Sequence, residues 1–439
     1  MNNRLLKILG VGFGIAVTIG GTIGTGILRK PGPIAEALGD PWLILLVWVM
    51  VSLYALAGTL CTVELGTSLP QAGGWYVFTK RAFGPYPGFV VGINSWLGTC
   101  AALGFGAYTL SEYIALLFPV FHTHENTLAV LVLAFLAGFH WLGLSLASTF
   151  QNVMSLIKGC GLLLFILVCF LYGDPVNTQQ TAEVTKTVFS GFGWVAPFLF
   201  SLQAVFYTFD GWHSAAYFTE EDRDPSRNLP RSMIGGVLII IFIYLMTNAA
   251  LLYVMPLDQL AGSKLAAADA MSLLFGGSVG KVVTAFLIVS ILGIVNAQML
   301  FNPRVIYSMS RDGLFLKHGS RVNQRGTPAL AMPLTAAMAI LFILTGKETS
   351  EKLSDVATFF FVMGYISGFA SLIRLRRTEP ALPRPWQTPL YPLLPLLMLV
   401  LSLGFLIMAA IQDPDGSVYA IGFLLLSYPL YRLTVRFNT

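Results

Sequence analysis

Gly20-Gly21-Thr22-Ile23-Gly24-Thr25-Gly26 is the stretch whose reading decides the fold. It lies inside the first apolar run of the chain. Four glycines in seven residues make a poor helix interior, because each costs about 1 kcal/mol relative to alanine. In lipid, unpaired backbone groups are tolerated only where they line a cavity or are buried in protein. A break here frees N–H groups at the start of the outer half-helix and carbonyls at the end of the inner half. The first kind of group binds a carboxylate and the second an ammonium. A zwitterionic amino acid presents both. Small residues such as Gly20 and Gly24 also let helices approach closely, so this run alone leaves both readings open.

The rest of the chain supplies the setting. Its 439 residues are 56% hydrophobic and only 11% charged. A soluble domain carries about 25% charged residues, so the bilayer acts as solvent for much of this surface. Runs such as 42–58, 233–255 and 390–410 have the roughly 17–25 residues that span a membrane. The first run is followed by many more, so it reads as a span and not as a cleaved signal. Apolar runs set against polar loops predict an all-α polytopic protein with twelve helices, at about 7–37, 42–69, 84–118, 127–147, 150–173, 193–219, 231–256, 278–310, 329–346, 352–377, 389–411 and 416–437. The joint between helices 4 and 5, placed at 146–152, holds no charge and no proline.

Lys and Arg favour the cytoplasmic side. With the N-terminus inside, eighteen of the 26 basic residues fall inside and seven outside, with Lys158 left at membrane depth. Both termini are therefore expected in the cytoplasm. The net charge of +5 is a topology signal and implies no nucleic-acid partner. The largest outer connections are 173–191 and 256–277, and 260–274 is expected to form a short helix over the outer face. Cys61, Cys100, Cys160 and Cys169 lie in apolar segments at spacings that match no metal site, and they read as small buried hydrophobes.

Helix 6 resolves the ambiguity of helix 1. Phe206-Tyr207-Thr208-Phe209-Asp210-Gly211-Trp212-His213 puts an acid and a glycine in the middle of an apolar span. An acid at that depth marks function by default. Helices 1 and 6 each open a five-helix set, 1–5 and 6–10. Paired interrupted helices at matching positions of two halves point to a transporter site. The expected organisation is a transporter core over 1–377, with inverted repeats at about 7–173 and 193–377, followed by helices 11 and 12 at 389–437.

Gly21-Thr22-Ile23-Gly24-Thr25-Gly26-Ile27 resembles the helix 1 signature G-x-I-G-S-G-I of the amino acid–polyamine–organocation superfamily. Further resemblance runs through Glu64-Leu65-Gly66, Pro70, Gly73-Gly74, Tyr76 and Ala82-Phe83-Gly84-Pro85. It continues in Phe209-Asp210-Gly211-Trp212, Thr219-Glu220-Glu221, Arg227-Asn228-Leu229-Pro230, Asn296, Arg304 and Arg311-Asp312-Gly313. It covers nearly the whole chain in order and is closest to the L-type amino acid transporter branch and its bacterial relatives. The resemblance implies a LeuT-type fold with helices 1 and 6 unwound at mid-membrane. It implies a substrate site built from Thr22, Ile23, Gly24, Thr25, Gly26, Tyr207, Thr208, Asp210, Gly211, Trp212 and Asn296. The carboxylate is then expected at the Thr25 side chain and the amides of Thr25 and Gly26, and the amine at the carbonyls of Thr22 and Tyr207, with those of Thr208 and Asp210 as further candidates. Thr25 departs from the family's commoner Ser, adding a methyl to the pocket floor. Tyr207 falls where the family places an aromatic gate, and Glu64 reads as a structural or gating carboxylate beside Lys80 and Arg81.

Lys158 lies in helix 5. A charge at bilayer depth costs about 2.5–3.5 kcal/mol on insertion scales, so it must find acceptors unless it snorkels. By resemblance it falls where some members place an ammonium at a sodium site, against carbonyls near Gly20 and Gly21 and the hydroxyl of Ser290. A permanently charged lysine suits exchange. One that loses its proton on burial suits proton coupling. His213 adjoins the site and is positioned to sense pH. Glu220, Glu221, Asp222, Arg223, Asp224 and Arg227 form a mixed charged loop that reads as a solvated face or an inner gate.

These features predict a secondary transporter of the plasma membrane, exchanging or passing neutral L-amino acids by alternating access without sodium. The competing readings are a proton-coupled importer of cationic amino acids or polyamines, and a solute sensor that binds without transport. Nothing resembles a P-loop or a catalytic triad, so no ATP-driven pump, no enzyme, no cofactor and no metal are expected. Some animal relatives are disulfide-linked to a single-span glycoprotein through a cysteine after helix 3. The loop from Pro119 to Asn126 has none, so no such heavy chain is expected, and the membrane is expected to be prokaryotic.

Overall fold

A computed structural model describes residues 4–175 and 193–438. Lys186 and most of the connection 173–191 lie outside the described residues, as do the side chains of Lys347 and Lys352. The described chain is helical throughout, with two isolated β-bridges, Leu9 to Asp222 and Val322 to Pro328. Among the described residues, eight helices are long and apolar enough to cross a membrane. They match the expected second, third, fifth, seventh, eighth, tenth, eleventh and twelfth spans. The expected fourth and ninth spans are the shorter apolar helices Glu125–Trp141 and Ala331–Leu344. The first and sixth are interrupted.

Local chemistry sets several boundaries. The Asp40 carboxylate accepts the Leu43 amide at 2.9 Å and caps Pro41–Ser68, the second span, with Pro41 in the first turn where its missing N–H costs nothing. The joint between the fourth and fifth spans is not at 146–152. It is at Leu142 and Gly143, where Gly143 takes a φ of +131° that favours glycine. Helix Leu144–Tyr172 runs uninterrupted from there, so Lys158 stands fourteen residues into it, about 21 Å along the axis. That depth is too great for snorkelling. The outer connection forms two short helices, Leu257–Ala261 and Ala266–Phe275, in place of the single one expected.

Helix Pro85–Leu117 packs against Gly280–Arg311 and Lys347–Thr378, while Pro225–Val254 packs against Val11–Thr22 and Pro41–Ser68. Their facing residues form one large apolar core. Outward-facing side chains such as Leu164, Leu167, Phe242, Ile407 and Leu425 are apolar and exposed, as surfaces in contact with lipid tails require. Cys160 is exposed among them, against the expectation of burial, while Cys61, Cys100 and Cys169 are buried.

Candidate functional site

The first break is narrower than the glycine run. Helix Val11–Thr22 includes Gly20 and Gly21, Ile23 to Thr25 leave the helical path, and helix Gly26–Arg29 resumes it. The amides of Gly24, Thr25 and Gly26 have no acceptor among the described residues. The packing reading holds as well, because a Cβ on Gly20 would lie 1.8 Å from the Gln151 amide nitrogen. The sixth span runs as helix Val195–Phe209, turns through Asp210 to His213, and continues as the 3-10 helix Ser214–Phe218. The two breaks meet backbone to backbone. Gly211 has a φ of +102°, and a Cβ there would sit 2.4 Å from the Gly21 carbonyl oxygen, so no other residue fits.

Two buried side chains hold the freed carbonyls. The Lys158 ammonium, 0% exposed, donates to the carbonyls of Gly20 at 3.0 Å and Ile23 at 2.8 Å. The expected partners Gly21 and Ser290 are not its acceptors, and the buried Ser290 hydroxyl has no partner among the described residues. Gly20 lies in the last turn of the inner half and Ile23 is the first residue to leave it, so the ammonium bridges the point where the helix ends. Gly293, on the helix opposite, leaves the space, since a Cβ there would come within 2.6 Å of the Lys158 side chain.

The second side chain is Tyr244, on helix Pro225–Val254 and 0% exposed, whose hydroxyl lies 3.1 Å from both the Thr22 and Thr208 carbonyls. It ties the two breaks together through one proton. Thr22, expected to meet the substrate amine, thus already has one lone pair engaged, as does Tyr207, whose carbonyl accepts the Asp210 amide at 3.2 Å. The Thr22 carbonyl has a second lone pair to offer. Tyr244→Phe leaves both oxygens without this donor, a loss of about 1–3 kcal/mol. We expect a weakening of substrate binding of tenfold or more at unchanged expression, measured by scintillation proximity or thermal-shift titration.

Thr25, Gly26 and Tyr207 line a cavity of about 970 Å³ that opens at the end of the molecule carrying Arg29, Lys264 and Asp413. Other expected residues do not line it. The Asp210 carboxylate accepts the Tyr365 hydroxyl and lines a separate small cavity. Trp212 is 2% exposed and packs on Trp75 and Tyr365. Asn296 is spent in a buried relay: its Oδ1 lies 2.7 Å from His140 Nε2, and its amide donates to Gln151 Oε1 at 2.6 Å. The relay continues from Gln151 to the Ser155 hydroxyl and on to the Ala16 carbonyl. Glu64 does not line the cavity, and its partners are not Lys80 and Arg81. It accepts Arg376 at 2.7 and 2.6 Å and the Thr388 amide at 2.6 Å.

Lys80 instead pairs with Asp312 at 2.7 Å, and Arg81 with Glu379 at 2.8 Å. With Arg311–Glu220 and Arg304–Glu221, both at 2.8 Å, these pairs close the end opposite the cavity mouth. The charged loop is therefore not a solvated face throughout, since Glu221 is 0% exposed. Burial also pushes the Asp222 carboxyl above the usual carboxylate range, opposed by the bonds it accepts from Asn228 and the Asp224 amide.

Tyr244, Tyr365 and Gln151 were not singled out from the sequence, nor was the pairing of Glu221 with Arg304. Each is an ordinary member of its run, and partners from 36 to 222 positions away define its role.

The model of the family described as amino acid permease matches residues 14–430. The chain is 28% identical to the serine/threonine exchanger SteT of Bacillus subtilis, over 98% of this chain and 97% of that one. It is 28% identical to the human b(0,+)-type amino acid transporter 1, over 99% and 89% respectively. It is 27% identical to the human large neutral amino acids transporter small subunit 2, over 98% and 81%. Two interrupted apolar helices meeting at a cavity, in a chain matched along nearly its whole length, lead to one conclusion: this polytopic membrane protein belongs to the amino acid permease family of the amino acid–polyamine–organocation superfamily, in the L-type branch with its bacterial relatives, and is a transporter and not an enzyme.

Proposed function

We propose that this protein exchanges neutral L-amino acids across the plasma membrane by alternating access, without sodium. Its ten-helix core then comprises inverted repeats at about 7–173 and 193–377, and both termini face the cytoplasm. The observation that carries the reading is the Lys158 ammonium on the Gly20 and Ile23 carbonyls. A fixed positive charge there does what a bound sodium ion does in coupled members that the fold resembles, so no ion gradient is needed. The substrate carboxylate is assigned to the free amides of Thr25 and Gly26, and its ammonium to the carbonyls of Thr22 and Tyr207. The cavity beside Thr25 and Tyr207 would be the outward approach, and Tyr207 its gate. Glu64, bonded to Arg376 at the opposite end, belongs to the inner closure. Asp210, already engaged by Tyr365, is poorly placed to select a cationic side chain. The name of the Bacillus exchanger supports exchange over uniport. No disulfide-linked heavy chain is invoked, since the segment around Pro119–Phe121 carries no cysteine.

The test is counterflow in proteoliposomes with a panel of amino acids, with and without sodium and a pH gradient. Preloaded neutral amino acids should drive uptake equally in sodium and in choline. A steep dependence on a sodium gradient would overturn sodium independence. Better competition by arginine or putrescine than by alanine or leucine would favour a cationic importer. Binding without counterflow would indicate a sensor.

A further inference from the structure

His213 is a buried group that the transport reading leaves unused. It is 5% exposed, and neither ring nitrogen has a hydrogen-bond partner among the described residues. Buried polar groups are almost always paired, so an imidazole left this way requires a reason. Four aromatic rings enclose it, with centroids at 5.3 Å for Trp75, 5.4 Å for Trp212, 5.7 Å for Tyr217 and 5.4 Å for Tyr365. The electron-rich faces of aromatic rings favour cations. The imidazole Nε2 lies 3.7 Å from Asp210 Oδ1, one turn earlier in the broken span. A cavity of about 20 Å³ touches both residues and Gln298, whose Oε1 is likewise buried without a partner among the described residues. That is about the space of one water molecule, enough to carry a proton to the ring.

We propose that His213 and Asp210 form a proton-binding site in the break of the sixth span, and that its protonation slows transport. A proton from solvent adds to the free imidazole nitrogen and nothing is released. The imidazolium then pairs with Asp210, which also holds the Tyr365 hydroxyl. Residues 210–213 are the turn that rests on the Gly21 carbonyl through Gly211. Pairing across this turn holds the break in the arrangement seen here, with the termini end closed. Exchange requires that arrangement to be left. Among the residues lining the small cavity, Asp210 is the one charged group facing the imidazole, and Tyr217 and Tyr365 are the other titratable groups packed on it. The site is distinct from Lys158, which bonds to the first span.

The rate effect rests on the transport reading, whereas the protonation itself does not. Nitrogen-15 histidine spectra of the full chain in nanodiscs should contain an imidazole that titrates between pH 5 and 8, is lost in His213→Gln, and moves to lower pH in Asp210→Asn. With equal pH on both sides, exchange of a labelled neutral amino acid should be about tenfold slower at pH 5.5 than at pH 7.5. The proton occupies the site at the lower pH and leaves it at the higher. His213→Gln should flatten the profile. No titrating resonance from His213, a flat wild-type profile, or the same profile in the variant overturns the proposal. If no amino acid exchanges at all, the transport reading fails, and the histidine titration alone upholds or overturns the site.

Discussion

Lys158→Met is expected to lower exchange about a hundredfold while the protein still inserts and purifies. Methionine keeps the length and apolar stem of lysine and removes the charge. The ammonium makes two bonds, at 3.0 and 2.8 Å, to carbonyls that end the inner half of the first span. Bonds from charged donors contribute about 1.5–3 kcal/mol each, so losing both carbonyls' partner costs about 3 kcal/mol or more at the break. A loss of that size is about two decades in an equilibrium constant. Because the affected carbonyls adjoin the free amides of Thr25 and Gly26, the loss appears in substrate binding and exchange more than in insertion. Lys158→Arg should recover little, since the wider guanidinium meets helix Gly280–Arg311 where only Gly293 leaves room. Initial rates of counterflow at matched protein levels provide the measurement. Exchange within twofold of wild type in Lys158→Met would remove the ammonium from the mechanism.

The second large effect is expected at the Glu221–Arg304 pair. Arg304 is 1% exposed and Glu221 0%. The guanidinium donates to both carboxylate oxygens, at 3.1 and 2.8 Å, and to the Leu300 carbonyl at 2.5 Å, and lies 5.1 Å from the Phe218 ring centroid. The pair ties helix Gly280–Arg311 to the segment that follows the second break. Removing one partner leaves a lone buried charge, at a cost of about 3–5 kcal/mol. Arg304→Met and Glu221→Gln should each lower the melting temperature in detergent strongly. The double variant should recover most of the loss, because no uncompensated charge remains. If the singles melt within a degree or two of wild type, or the double is worse than either, the pair does not hold this end closed.

Much of this site could be read along the chain. Glycines crowded into an apolar run, and an acid with a glycine in another, identify both breaks, because such residues oppose continuous helix wherever they occur. The small total of charges makes the chain a membrane protein, and a lysine deep in a span must find acceptors. What lay beyond reach was register between helices. Gly20 and Gly21 stay helical, and the break begins at Ile23. Whether Lys158 meets Gly20 with Ile23, or Gly20 and Gly21 with Ser290, depends on the rotation and height of one helix against another. The sequence period of a helix carries no information on either.

The same limit explains Glu64, Asn296 and Tyr244. Glu64 is near Lys80 and Arg81 along the chain, yet it pairs with Arg376, 312 residues away. Asn296 looks like a pocket residue but is consumed by His140 and Gln151. Tyr244 looks like one more core aromatic until folding brings two freed carbonyls to its hydroxyl. The sequence by itself determined where the backbone must open and which charge must answer it, since both follow from local propensity and from the cost of polar groups in lipid. Tertiary structure alone decided which groups meet at the opening, because hydrogen bonds are satisfied in space between helices far apart in the chain.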